Sequence, residues 1–463
     1  MNSTTLLLVL LALVAFGYFF GRNRSLAAVH SRGGHRRDLH SLPEYYGYMA
    51  ALWAGLPALL LLLAWSALEP TTLNHLLVAH FPATYQGMSS NDIGLALNSL
   101  HLEAGQGNPA DIADPAQRQQ VAYLLHLQET SRLLKTALVV VLSLAGLAWA
   151  VSRISPRFRA RNAVERIIRY ILIAASSVAI LTTVGIVLSV LFESLRFFAK
   201  VPITEFLFGL EWSPQIAIRA GQVGSDGAFG IIPLFVGTLL IALIALALAV
   251  PIGLMTAIYL SEYASPRFRA IAKPTLEVLA GIPTVVYGFF AALTVAPAIR
   301  AFGESLGLEV SSESALAAGI VMGVMIIPFM SSLSEDVISA VPRAMRDGSL
   351  GMGATRSETI RLVLLPAALP GIVGGILLAA SRAIGETMIV VMAAGLTANL
   401  TLNPLEAVTT VTVQIVTLLT GDQEFDSAKT LAAFALALML FITTLILNVI
   451  ALHVVRRYRE QYE

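Results

Sequence analysis

Nine stretches of about 20 apolar residues, spaced along a chain of 463, leave little freedom in what this polypeptide can become. A bilayer's hydrocarbon core is about 30 Å thick and takes roughly 20 helical residues to cross. Inside it, every backbone N–H and C=O must be satisfied within the protein, which for segments of this length means helix. The stretches run near 4–20, 48–67, 134–151, 167–192, 231–259, 276–298, 315–334, 367–396 and 431–455. Composition agrees, since 56% of the residues are hydrophobic and only 13% charged, too apolar for a water-soluble chain of this length. The sequence predicts an all-α, polytopic membrane protein with about nine transmembrane helices.

Orientation follows from the basic residues, which concentrate in short cytoplasmic loops. One face collects Arg22, Arg24, Arg32, Arg36 and Arg37, then Arg153, Arg157, Arg159, Arg161, Arg166 and Arg169. Later come Arg267, Arg269 and Lys273, then Arg343, Arg346, Arg356 and Arg361, and finally Arg456, Arg457 and Arg459. The opposite face holds a minority of the 30 bases, among them Arg118, Arg132, Lys135, Arg219 and Arg300. The alternation persists through all nine crossings and puts the N-terminus outside and the C-terminus inside. No base precedes the first stretch while Arg22 and Arg24 follow it, so an uncleaved N-out helix is expected rather than a signal peptide. A net charge of +1 gives no reason to expect a nucleic-acid partner, and the absence of cysteine excludes disulfides and thiolate metal sites. The eight histidines show no metal-ligand spacing, so no metal site is expected.

The spacing of the crossings divides the chain. Residues 1–152 form a three-helix block with an extracytoplasmic loop at 68–133, residues 153–166 a basic cytoplasmic linker, and residues 167–463 a six-helix block. Within the first loop, Asp114 and Pro115 suit an N-cap and a first helical residue. A helix should therefore run from about Pro115 into the third crossing and project outside. The aromatic and turn-rich 197–229 segment is expected to lie on the outer surface, and the short apolar 404–419 segment as an interfacial or partly re-entrant helix.

The longest hydrophilic interruption of the six-helix block is cytoplasmic, at 335–366. It reads Asp347-Gly348-Ser349, three residues to Gly353, nine more to Val363, then Leu365-Pro366. This resembles the cytoplasmic loop of bacterial ABC importer permeases, whose pattern is Glu-Ala-Ala, three residues, Gly, nine residues, Ile, one residue, Leu-Pro. Every spacing agrees, with Asp347, Gly348, Ser349 and Val363 as the departures. Further strings narrow the resemblance: Phe229 to Pro233, Leu260-Ser261-Glu262-Tyr263, Gly281 to Phe290, and Ser381 to Met388. In that order they are similar to phosphate ABC importer permeases of the PstC type. The preceding block, with Gly21-Arg22 and Leu42 to Gly47, is similar to the extended version of that subunit.

The resemblance implies a six-helix type I ABC importer permease (MetI-like) core, with the loop from Asp347 to Pro366 lodged as a short helix in a partner ATPase and Gly353 at its turn. It implies as partners a homologous PstA-type permease, a PstB-type ATPase dimer that binds ATP and Mg, a periplasmic phosphate-binding protein, and a bacterial inner membrane around them. No cofactor is expected in this chain itself. Arg382 and Glu386 are the charges expected deep within a crossing. A central arginine costs about 2.5 to 3.5 kcal/mol to insert, which makes such a residue functional by default. By resemblance they serve phosphate passage, Arg382 as a transient anion contact and Glu386 as the group that orients it. Gly281, Pro283, Tyr287 and Gly288 are candidates for gating or for close packing.

The same residues bear on other functions. A nucleotide-cradling loop needs Gly-x4-Gly-Lys-Ser/Thr, and neither Lys135-Thr136 nor Lys429-Thr430 is preceded by glycine, so the chain is not expected to be an ATPase or another enzyme. A secondary transporter would need a relay of intramembrane acids, which is scarce here. Physics alone leaves the oxyanion open between phosphate, sulfate and molybdate, since arginine suits any of them. The role of the first three crossings is not legible in the sequence.

Overall fold

The computed structural model describes residues 2–30, 38–81, 90–106, 115–214, 227–420 and 426–459. Among the described residues, nine helices are long and apolar enough to cross a membrane. Contacts divide the chain into Met1–Leu181 and Thr182–Glu463.

The first unit contains α1 (Ser3–His30), α2 (Pro43–Ala79), α3 (Ser90–Gln106), α4 (Pro115–Ser152) and the beginning of α5 (Ala160–Phe198). Its core is built on small residues, with Ala50, Ala54 and Ala150 buried beside Met49 and Leu147, which lets helix backbones approach closely. The tightest approach is at Gly146, where a Cβ would lie 2.0 Å from the Trp53 carbonyl oxygen. α4 starts at Pro115 and is about 57 Å long at 1.5 Å per residue. Asp114, its expected N-cap, lies outside the described residues. The 68–133 segment is more helical than its hydrophilicity suggested. α2 continues to Ala79, and Leu77, Leu100, Val121 and Leu124 from α2, α3 and α4 bury a small core of their own.

The division at residue 181 falls inside α5 rather than in the 153–166 linker, and the packing explains why. Val164 is buried with Met49 and Ala50, and Ala160 with Val29 and Tyr46. The Tyr46 hydroxyl donates to the Phe158 carbonyl at 2.9 Å, and the His40 amide to Pro156 at 2.9 Å. The linker is thus built into the first unit. From residue 168 to 186, α5 is exposed around its whole circumference. A helix that is apolar on every side finds its solvent in lipid.

The second unit continues with α6 (Ile203–Phe208), a hairpin of β1 (Trp212–Ser213) and β2 (Ala228–Phe229), and α7 (Ile232–Ile258). The strands pair antiparallel with Trp212 opposite Phe229. The aromatic stretch buries Phe197, Phe206, Trp212 and Phe229 in a second core with Leu418 and Leu431, and Trp212 donates its indole N–H to Gln414 at 3.0 Å. Then come α8 (Pro266–Ala280), α9 (Thr284–Phe290), α10 (Ala296–Ser305), α11 (Ala315–Ala340), α12 (Arg343–Gly351), α13 (Arg356–Thr359), α14 (Leu365–Ile384), α15 (Met388–Ala393), α16 (Val411–Leu419) and α17 (Ala428–Arg459). In the 404–419 segment only the part from Val411 is helical, with Val411, Val413 and Leu418 buried.

Two expected crossings are cut differently by the chain. The sixth spans Thr284–Ser305, because Gly281 and Pro283 end α8, which has no buried residue. The eighth stops at Ile384, capped by Gly385, and does not continue to 396. Widened π turns occur at Tyr259–Tyr263, Ala291–Val295 and Ile360–Leu364. Each is followed within three residues by a proline: Pro266, Pro297 and Pro366. Pro297 and Pro366 continue the same helix as the turn before them, where a proline supplies no N–H and crowds the carbonyl four residues back, and a longer i→i+5 bond relieves that crowding; Pro266 instead opens the next helix after an extended break.

Candidate functional site

α11 and α14 run antiparallel against each other. A Cβ on Gly371 would meet Val337, and one on Gly375 would meet Leu333, so Arg382 near the end of α14 reaches the level of Phe329. Its guanidinium carbon stands 5.7 Å from the Phe329 ring centroid, within the range of a cation–π contact. A cavity of about 250 Å³ opens beside them, lined among others by Arg382, Phe329, Ser331, Ser332, Glu335 and Lys273.

The other wall comes from α8. Arg269, Lys273 and Glu277 recur at four-residue spacing and so share one face, as do Ser331 and Glu335 on α11. Glu335 is a charge the sequence reading missed, because the apolar stretch ends one residue before it. α11 continues to Ala340, and the Glu335 side chain is only 2% exposed. Arg269 donates to one of its carboxylate oxygens, and Lys273 Nζ lies 3.5 Å from the other and 3.7 Å from Asp336. The Ser331 hydroxyl is buried and has no hydrogen-bond partner among the described residues. The four-residue repeats of polar residues along α8 and near the end of α11 were the available sequence signal.

Arg382 and Glu386 are not brought together as an oriented pair. Because α14 ends at Ile384, the helical i,i+4 relation fails at Gly385. Glu386 instead accepts hydrogen bonds from the amides of Thr387 at 3.1 Å, Met388 at 2.9 Å and Ile389 at 3.4 Å. It caps α15, where a carboxylate is favoured by the free amides of the first turn. Arg382 is left exposed on the cavity with Phe329 as its neighbour.

Gly281, Pro283, Tyr287 and Gly288 surround the break between α8 and α9. Gly281 closes α8 and Pro283 opens α9. The Tyr287 hydroxyl bridges the gap by donating to the Leu279 carbonyl at 2.9 Å. Gly288 packs on α15, where a Cβ would come 2.7 Å from Met392 Sδ and 3.1 Å from the Met388 carbonyl oxygen.

The 335–366 segment folds into α12, a tight turn and α13. The turn is a Schellman cap: the Gly353 amide donates to Leu350 at 3.0 Å and the Ala354 amide to Ser349 at 3.2 Å, with Gly353 at φ +91°. Thr355 and Glu358 form a capping box at the start of α13. Ser349 is buried, its hydroxyl 3.0 Å from that of Thr359. Val363 lies in the widened turn before Leu365 and Pro366, which begin α14. Asp347 and Gly348 are exposed, as are Leu350 at 42% and Met352 at 88%. Arg346 forms an ion pair with Glu262 at 2.8 Å, which ties α12 to the turn following α7. The Leu260 to Tyr263 string thereby contacts α12 through Glu262.

Residues 7–182 match the family described as phosphate ATP-binding cassette transporter, and residues 249–460 that described as binding-protein-dependent transport system inner membrane component. The chain is 33% identical over 276 residues to the probable ABC transporter permease protein YqgH of Bacillus subtilis, an alignment that covers 59% of this chain and 85% of that protein. It is 33% identical over 278 residues to the phosphate transport system permease protein PstC 1 of Mycobacterium tuberculosis, covering 54% and 81%. The probable phosphate transport system permease protein PstC of Methanocaldococcus jannaschii is 27% identical over 286 residues, covering 59% and 90%. Relatives 33% identical and matched over more than four-fifths of their length leave one assignment: this chain belongs to the PstC-type permease family of ABC transporters.

Proposed function

We propose that this chain is one of two permease halves through which an ATP-driven importer passes phosphate into a bacterial cell. The relatives named as phosphate permeases support the substrate. So does the observation that carries the reading: an exposed arginine, Arg382, lining a cavity of about 250 Å³ that Lys273 also lines. Arginine and lysine offer fixed donors to an oxyanion, and both belong to the second unit.

A PstA-type permease would complete the pathway wall, and a periplasmic binding protein would deliver phosphate. A PstB-type ATPase dimer, holding ATP and Mg, would receive α12. The exposed Leu350 and Met352 suit a partner's groove, and the clamp of Arg346 on Glu262 gives that partner's movement a rigid route to α7. ATP binding would draw the two α12 helices together and open the pathway outward, and hydrolysis would reset it. With basic loops inside, the N-terminus is periplasmic and the C-terminus cytoplasmic in the inner membrane. Reconstitution of the full complex in vesicles tests the reading. Arg382→Ala is expected to abolish ATP-dependent phosphate uptake while leaving assembly intact. Unchanged uptake, or uptake that persists with a hydrolysis-dead ATPase, would overturn it.

A further inference from the structure

We propose that the end of the cavity formed by Ser331, Ser332 and Lys273 is a second oxyanion station, and that Glu335 is the counter-anion that makes it let go. The proposal rests on the phosphate reading above and adds residues to it. Ser331 supplies the first observation. Ser331 lines the cavity, yet its hydroxyl is shut off from solvent and finds no partner among the described residues, a cost that is removed when the side chain turns to donate to something in the cavity. At about 30 Å³ per water, the 250 Å³ available holds roughly eight waters, ample for a tetrahedral oxyanion with part of its hydration.

Lys273 supplies the second. Its distances of 3.5 Å to Glu335 and 3.7 Å to Asp336 are long beside the 2.7 to 2.9 Å typical of a charge-assisted hydrogen bond. Arg269, by contrast, engages the other oxygen of Glu335 directly. An arriving anion can therefore take Lys273 without leaving Glu335 uncompensated, because Arg269 keeps it. Once there, the anion faces the carboxylates of Glu335 and Glu277, and like charge at short range opposes tight capture. Phe329 and Glu335 are six residues apart on α11, about 9 Å along the axis. The two stations thus lie one short step apart, ordered from Arg382 toward the end of α11 that leads into α12.

The signs of three substitutions separate this mechanism from a structural role. The complete complex in vesicles is assayed with radiolabelled inorganic phosphate, both for uptake and for the amount retained on the washed complex. Ser331→Ala and Lys273→Gln are each expected to lower maximal uptake about ten-fold and to lower retention. Half-saturation, set by the binding protein, stays unchanged. Ser331→Ala deletes an unpartnered hydroxyl, so its melting temperature is unchanged or raised. Glu335→Gln is expected to lower uptake while raising retention several-fold. Wild-type uptake in Ser331→Ala and Lys273→Gln, or retention that falls in Glu335→Gln, would overturn the second station. If the wild-type complex imports no phosphate, it is the functional reading that fails. Uptake that depends on Arg382 but ignores these three residues sinks the second station alone.

Discussion

Gly353 offers a perturbation of the α12 turn in which sterics play no part. A Cβ added there meets nothing within 4 Å, yet its φ of +91° is one that L-residues avoid. The cost of alanine is therefore conformational, about 1 to 2 kcal/mol, which at an RT of about 0.59 kcal/mol shifts the turn's equilibrium roughly 5- to 30-fold toward an opened form. What opens is the Schellman cap, and with it the register of Ser349 against Thr359. Gly348 supplies the control. It also has open space around it but sits inside α12 at an ordinary φ, where alanine favours the helix by about 0.5 to 1 kcal/mol. In vesicles containing the whole complex, the phosphate moved per ATP hydrolysed should fall several-fold in Gly353→Ala and hold or rise in Gly348→Ala. Gly353→Asn should lie between, since asparagine tolerates positive φ better than other side chains. Amide exchange at Ala354 should quicken in step with uncoupling. If Gly353→Ala couples like the wild type while Gly348→Ala does not, the rigid turn is not the transmitting element.

Three further perturbations follow from the geometry. Arg346→Gln removes the partner of a mostly buried Glu262 carboxylate, with an expected loss of about 1 to 3 kcal/mol in thermal unfolding and a drop in coupled uptake; adding Glu262→Gln should restore part of the stability. In the first unit, Lys135 is 4% exposed and lies 2.7 Å from Glu69. Lys135→Met should destabilise by somewhat less than the about 3 to 5 kcal/mol of a fully buried pair, since Glu69 retains 18% exposure, and the double variant Lys135→Met/Glu69→Gln should recover most of it by melting. Hydrogen bonds from Thr401 and Asn403 hold the Glu406 carboxyl below its ordinary range. Its ordering of the 401–406 turn is therefore present above the usual carboxylate pKa of about 4 and lost as the pH falls through the lowered value. Amide exchange at Leu405 measured across that window checks it.

How much of this was legible depends on which physics governs each element. The bilayer imposes a length and a polarity on every crossing, so all nine appear as apolar runs. What the runs conceal is where a helix is interrupted while staying apolar. Hydropathy puts the sixth crossing at 276–298 because nothing in it marks the break at Gly281 and Pro283. It carries the eighth on to 396 because Ile389 to Ala394 are as apolar as α14. The three widened turns each have a proline two or three residues downstream, but Pro251 and Pro328 sit within unbroken α-helix, so a proline alone does not mark them. The linker at 153–166 read as a separator because its arginines are hydrophilic, whereas the contacts that bind it use Phe158, Ala160 and Val164, ordinary apolar residues with no signature of their own.

The site shows the same division between motif and environment. The Asp347 to Pro366 spacing was legible because a Schellman turn needs a glycine at one defined position and α14 needs a proline near its start, so geometry is written residue by residue. Glu335 was not, because the end of an apolar stretch says only where hydropathy stops and not where the helix stops. The error over Glu386 has the same root: i,i+4 spacing predicts proximity only while a helix persists, and Gly385 ends it. With Glu386 engaged in capping α15, Arg382 has no ion-pair partner among the described residues. Such an arginine can give its donors to an incoming anion without first breaking an ion pair, whereas Lys273 must loosen a long one. On the proposed function, a pathway that takes phosphate at Arg382 and gives it up near Glu335 would have its chemical bias built along α11, with the alternation of access left to the turn at Gly353.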